Sequence, residues 1–107
     1  IPHETALALS EQIAVLPGQV VSMTLAQNKA VSITLFAFDQ GEEISAHAAS
    51  GDAMVTVLEG TGLFSIDGTP HICRAGQTIV MPEGKPHAVY AEEAFKMLLS
   101  IVFSDNT

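Results

Sequence analysis

The sequence predicts an all-β protein, a barrel or sandwich of short strands, and three observations carry that expectation. Short apolar runs recur along most of the chain, each bounded by glycine, proline or acidic turn residues. The dipeptide Asp67-Gly68 sits between two such runs and signals a tight hairpin, because both central positions of that turn need a positive φ. The runs themselves favour Val, Ile and Phe, side chains that suit a pleated, packed surface.

The elements follow in order. Residues 1–30 are expected to form N-terminal strands or an arm. Within them Thr5 to Leu16 stays open between helix and extended chain, since Leu9, Ile13 and Leu16 fall at helical spacing. Val31 to Phe38 reads as a strand with Ile33, Leu35 and Ala37 on one face and Thr34, Phe36 and Phe38 on the other. Both faces are largely apolar, so this strand should be covered on both sides. Asp39-Gln40-Gly41 closes it. Ala53 to Leu58 is a second such run, ended by Glu59-Gly60, and Leu63 to Ile66 leads into the Asp67-Gly68 turn. His71 to Arg74, Thr78 to Met81, His87 to Tyr90 and Phe95 to Phe103 supply further strands. Ala91 to Leu99 is built of good helix formers, yet Ser100 to Phe103 continues it with β-preferring residues, which favours strand. No repeat or linker divides the chain, and 107 residues leave no room for a second core, so residues 1–107 are expected to be one domain.

Composition narrows the function classes. Twelve acidic side chains against four basic ones give a formal charge of −8. The four cations, Lys29, Arg74, Lys85 and Lys96, are scattered, so no basic stripe exists to neutralise phosphates. That argues against nucleic acid and anionic membrane surfaces as partners. The longest uncharged apolar run, Met97 to Phe103, is too short to span a bilayer. Cys73 is the single cysteine and no signal-peptide pattern is present, which predicts a reducing, cytoplasmic setting. A mean hydropathy of +0.35 is high for so small a chain. Part of that apolar surface is expected to be buried against a second copy, in a homodimer that uses a sheet face or an exchanged terminal strand.

Two motifs stand out. The first runs from Gly41 through His47, Ala49 and Ala53 to Gly60; the second joins Gly76, Pro82, Gly84, His87 and Ala91. Glycine at Gly41 and Gly76 fits strand starts after turns. Pro82 fits a strand end, since it cannot donate to a ladder. The spacing resembles the two signature motifs of the cupin superfamily over about residues 32–103, which implies a jelly-roll barrel of the double-stranded β-helix kind. Many cupins hold a divalent metal through three histidines and one glutamate. Of those positions His47 and His87 are kept here, whereas Ala49 stands for the second histidine and Ala53 for the glutamate. Ala91 replaces an asparagine of the second motif. Ser45-Ala46-His47, Ser50 to Ala53 and Phe95 to Leu99 also look like a group of small bacterial cupins with no settled activity.

If the barrel closes as the resemblance implies, His47 and His87 point into its mouth. They are the candidate ligand-binding residues and the candidate metal ligands. Two imidazoles fall short of the three or more protein ligands that a stable transition-metal site generally needs. Asp52, five residues after His47, is the leading candidate for a third ligand, although strand alternation next to an inward Ala53 would send it outward; Glu83, Gln77 and Glu43 are weaker candidates. A divalent Fe, Mn, Ni, Zn or Cu ion is therefore expected to be weakly held or absent, and no nucleotide-binding loop is present. His71 and Cys73 share a strand face and read as packing residues, and His3 lies at the terminus. Phe36, Phe38, Val55, Val57, Met81, Val89 and Met97 are the expected wall residues.

The leading functional expectation is a barrel that binds a small molecule in its mouth through His47 and His87. The alternative is a metal-dependent enzyme, an oxygenase or isomerase acting on a small organic metabolite, whose metal would polarise substrate as a Lewis acid. Metal-free acid–base chemistry by the two histidines, as in sugar-epimerising cupins, comes last because no sugar-binding residues can be read.

Overall fold

In the computed structural model, which describes residues 1–104, alternation of inward and outward side chains, clearest in the central strands, builds two antiparallel sheets that face each other. The strands are β1 (Val20–Gln27), β2 (Val31–Phe38), β3 (Glu43–His47), β4 (Gly51–Glu59), β5 (Thr61–Ile66), β6 (Thr69–Arg74), β7 (Thr78–Met81), β8 (His87–Ala91) and β9 (Phe95–Phe103). The first sheet has the order β1-β2-β9-β4-β7 and the second β3-β8-β5-β6. Apart from the β1–β2 and β5–β6 pairs, each strand is followed by one in the opposite sheet, as in a jelly roll. The fold is all-β, as expected. No helix among the described residues is long and apolar enough to cross a membrane.

Strand β4 shows how sequence sets burial. Ala53, Val55 and Val57 are buried, while Asp52 and Met54 between them are exposed, so each two-residue step returns to the core. Register carries the pattern across the sheet: Ala53 faces Ile101, Val55 faces Leu99 and Val57 faces Met97 on β9. The core closes on Phe38, Phe64 and Phe95. Phe38 and Phe95 stack at 4.6 Å between centroids, and Phe64 meets Phe95 edge-on at 6.1 Å.

The Asp67-Gly68 turn forms as expected, with φ of +51° and +84°, and joins β5 to β6 in unbroken register from Ile66↔Thr69 to Thr61↔Arg74. Strand β2 is covered on both sides. Phe36 and Phe38 look into the barrel, whereas Leu35 and Ala37 look outward and are covered by Leu9, Ile13 and Val15. The open segment is resolved here: Thr5 to Leu16 makes one 3-10 turn, Leu9–Glu11, within an otherwise extended arm. Its N-terminus has no side-chain cap, and burying Ile13 on the sheet outweighs helical spacing. Lys96 fastens the arm by donating to the Ser10 carbonyl at 2.6 Å and pairing with Glu59 at 3.0 Å. The helix formers after Ala91 make only a bend before β9 begins at Phe95.

Candidate functional site

The site starts from two strand positions. His47 ends β3 and His87 begins β8, and the two are direct partners in the register, with a bulge between Ile44 and His47. Pro86 fixes the chain entering β8, and its carbonyl accepts a hydrogen bond from the Asp67 amide at 2.7 Å. Ile66 of β5 pairs His87 from the other side. His87 is therefore clamped between two strands and only 4% exposed, while His47 lies at the surface. Their rings meet edge to face with centroids 4.5 Å apart.

Beneath the pair lies a cavity of about 100 Å3 between the two sheets. Its walls are Phe36, Ile44, Ala49, Ala53, Met81, Val89, Met97, Leu99 and Ile101, and only His47 and His87 bring polar side-chain atoms to it. Of the expected wall residues, Phe36, Met81, Val89 and Met97 do line it; Phe38, Val55 and Val57 belong to the core farther in. Ile44, Leu99 and Ile101 are additional wall residues. Leu99 and Ile101 could have been found by counting in twos from Met97, the same inward parity.

The two rings differ electrostatically. His47 Nδ1 donates to the Ser45 carbonyl at 3.0 Å, which places the ring proton there and leaves Nε2 as an acceptor in the neutral form. Nδ1 of His87 is buried and has no hydrogen-bond partner among the described residues. Burial pushes the His87 imidazole below its ordinary pKa and the neighbouring His47 acts in the same direction, with the Lys85 main chain opposing in part. His87 is thus held neutral at physiological pH.

The other candidates lie elsewhere. Asp52 points away from the cavity, as alternation next to Ala53 requires, and accepts a hydrogen bond from the Glu83 amide at 2.9 Å. The Glu83 carboxylate accepts from the Ser104 hydroxyl at 2.7 Å. Gln77 accepts from the Arg74 amide, and Glu43 pairs with Tyr90 across β3 and β8. His71 is exposed on β6, beside an open groove shared with Cys73 and Gln77. Cys73 is itself buried, and burial raises its thiol pKa, which suits a packing residue rather than a nucleophile.

This donor set does not fit a metal held by the protein. Ala49 and Ala53 turn methyl groups into the cavity, and no three His, Cys, Asp or Glu side chains converge anywhere among the described residues. What the arrangement offers is an apolar chamber rimmed by two imidazoles, the buried one of which is held neutral.

Comparison with solved structures places the chain among close neighbours. A conserved protein of unknown function from Streptococcus pyogenes is 45% identical, with a TM-score of 0.95 over 98% of this chain and 92% of that one. A cupin superfamily protein from Desulfitobacterium hafniense is 32% identical, with a TM-score of 0.92 over 97% and 95%. A cupin 2 conserved barrel domain protein from Leptotrichia buccalis is 43% identical, with a TM-score of 0.87 over 88% of this chain and 46% of that one. A search of curated proteins found no match. The family model of the cupin domain matches residues 34–102, from the middle of β2 to the end of β9, and with that match the chain belongs to the cupin superfamily.

Proposed function

We propose that this cupin binds a small molecule in the cavity between its sheets, with His47 and His87 as the polar contacts. One observation carries the reading: a buried, unpartnered Nδ1 on a histidine that lines an apolar cavity. An unsatisfied buried polar atom costs about 1–3 kcal/mol, a penalty that an entering ligand group can remove. A concave, apolar-walled chamber with few convergent polar groups is also the usual form of a small-molecule site. The proposal extends to a cytoplasmic protein that pairs with a second copy of itself. Its apolar outer sheet face and its single, buried cysteine support those two parts.

The test is a ligand-observed NMR screen of small organic compounds against the wild type and the His47→Ala and His87→Gln variants. Hits that weaken in both variants support the reading. Hits that bind all three proteins equally place binding elsewhere and defeat it.

The metal-dependent oxygenase or isomerase lacks its donor set, since two imidazoles leave such a site at least one ligand short. Elemental analysis after loading with Fe, Mn, Ni, Zn and Cu separates the two readings. Near-stoichiometric metal that disappears in His47→Ala would favour the enzyme.

A further inference from the structure

The chemistry of the cavity specifies the class of ligand, an inference that rests on the binding reading above. Size sets the first limit. A dry apolar cavity of about 150 Å3 is enough to take benzene. The chamber here is about 100 Å3, open at the histidine end and bounded in part by the flexible side chains of Met81 and Met97. A compact body of about six carbons is therefore its upper bound.

Charge sets the second limit. The walls are apolar, so an ionised group inside would lose its hydration with nothing to replace it. An anion would also approach a protein of net charge −8. A carboxylate accepts hydrogen bonds and donates none, so it would set oxygen lone pairs against the open lone pair that Nε2 carries in the neutral form of His47. An ammonium or other cation could donate to that nitrogen, but it would leave its charge against hydrocarbon walls.

A hydroxyl suits both rings. It donates to the acceptor nitrogen of His47 and, with the His87 ring proton on Nδ1, accepts from that atom, which has no partner among the described residues. We propose that the cavity takes an uncharged molecule no larger than a six-membered ring bearing one hydroxyl, a small phenol or alcohol. Its hydrocarbon body sits between the sheets and its hydroxyl bridges His47 and His87 at the mouth.

Phenol, benzene and benzoate share one ring and differ only in the group that would meet the histidines, so they serve as probes. Each is titrated into the full chain at pH 7.5 and followed through the methyl NMR signals of Met81 and Met97. Phenol is expected to bind at least about tenfold more tightly than either of the others, the worth of one to two net hydrogen bonds. In His47→Ala, whose ring is exposed so that the fold should tolerate its loss, the phenol preference over benzene is expected to fall to about threefold, the share left by the bond from His87. Benzoate binding as tightly as phenol, benzene matching phenol, or an undiminished phenol preference in His47→Ala would each overturn the hydroxyl assignment. Methyl shifts with any probe would still uphold the cavity as a binding site. Silence at both methionines with all three probes would overturn the binding reading together with this one.

Discussion

His87 is the single buried polar or charged residue among those described, and its burial has a pH signature. Burial and His47 both lower its pKa in the folded protein. The unfolded chain therefore binds more protons than the folded one just below pH 6.5, and stability contributed by the neutral ring is present above that value. It is lost as pH falls through the depressed folded pKa. Thermal melts at pH 8 and pH 6 should show a drop for the wild type that is smaller in His87→Gln, whose side chain does not titrate; equal drops would mean that His87 is not the group responsible. The neighbouring alanines give a second expectation. With Ala49 and Ala53 where a fuller site would place ligands, chelation by EDTA should leave the melting temperature within about 1 °C, because only a ligand bound to the folded state raises it. A larger fall would reveal a structural metal. At this scale the two histidines were legible, since glycine and proline spacing fixed their places. The empty nitrogen was not, because it depends on which main-chain carbonyl each ring reaches.

The hairpin of β5 and β6 and the strand that follows show what single elements contribute. A methyl group at Gly62 would sit 2.9 Å from atoms of both Phe64 and Phe95, the rings that close the core. Those rings are fully buried and cannot retreat, so Gly62→Ala is expected to cost about 1–3 kcal/mol by overpacking. At Gly68 a Cβ meets nothing within 4 Å, and only the left-handed φ of +84° opposes Gly68→Ala, a penalty of about 1–2 kcal/mol. Urea denaturation of the two variants would check the order; a harmless Gly62→Ala would contradict the described packing. Most strands were readable because alternation and turn residues agree, as in β4 and at Asp67-Gly68. The arm was not, since Leu9, Ile13 and Leu16 satisfy helical spacing while the sheet uses Leu9, Ile13 and Val15 from an extended chain. Only the outer surface of β2 distinguishes those two sets, and that surface exists after folding. Strand β3, with just one partly buried residue, Ile44, left too faint an apolar pattern to stand out as a strand of its own.

The whole molecule buries one outer half of its five-stranded sheet and leaves the other bare. Register aligns Ile33, Ser100, Met54 and Val80 in one row across β2, β9, β4 and β7, beside Val31, Val102 and Asp52 in the next. Met54 is 46% exposed, Val80 53% and Val102 60%, so these apolar side chains face solvent while the arm covers Leu35, Ala37 and Leu98. The high hydropathy of the sequence pointed to surplus apolar surface without locating it. Two copies each carrying a charge of −8 repel, and a face where Asp52 alone among these seven side chains is charged would oppose their meeting least. A two-fold pairing would set each bare half against its equivalent and remove the same apolar patch from water twice. Sedimentation at micromolar concentration is expected to give a dimer, and the double variant Met54→Glu with Val102→Glu a monomer. Both substitutions lie on the outward face, away from the cavity walls, so the variant should keep whatever small-molecule binding the wild type shows. A wild-type monomer would refute the pairing and leave the bare face to some other partner. A dimer that persists in the variant would move the interface to an exchanged strand, the other arrangement the sequence allowed.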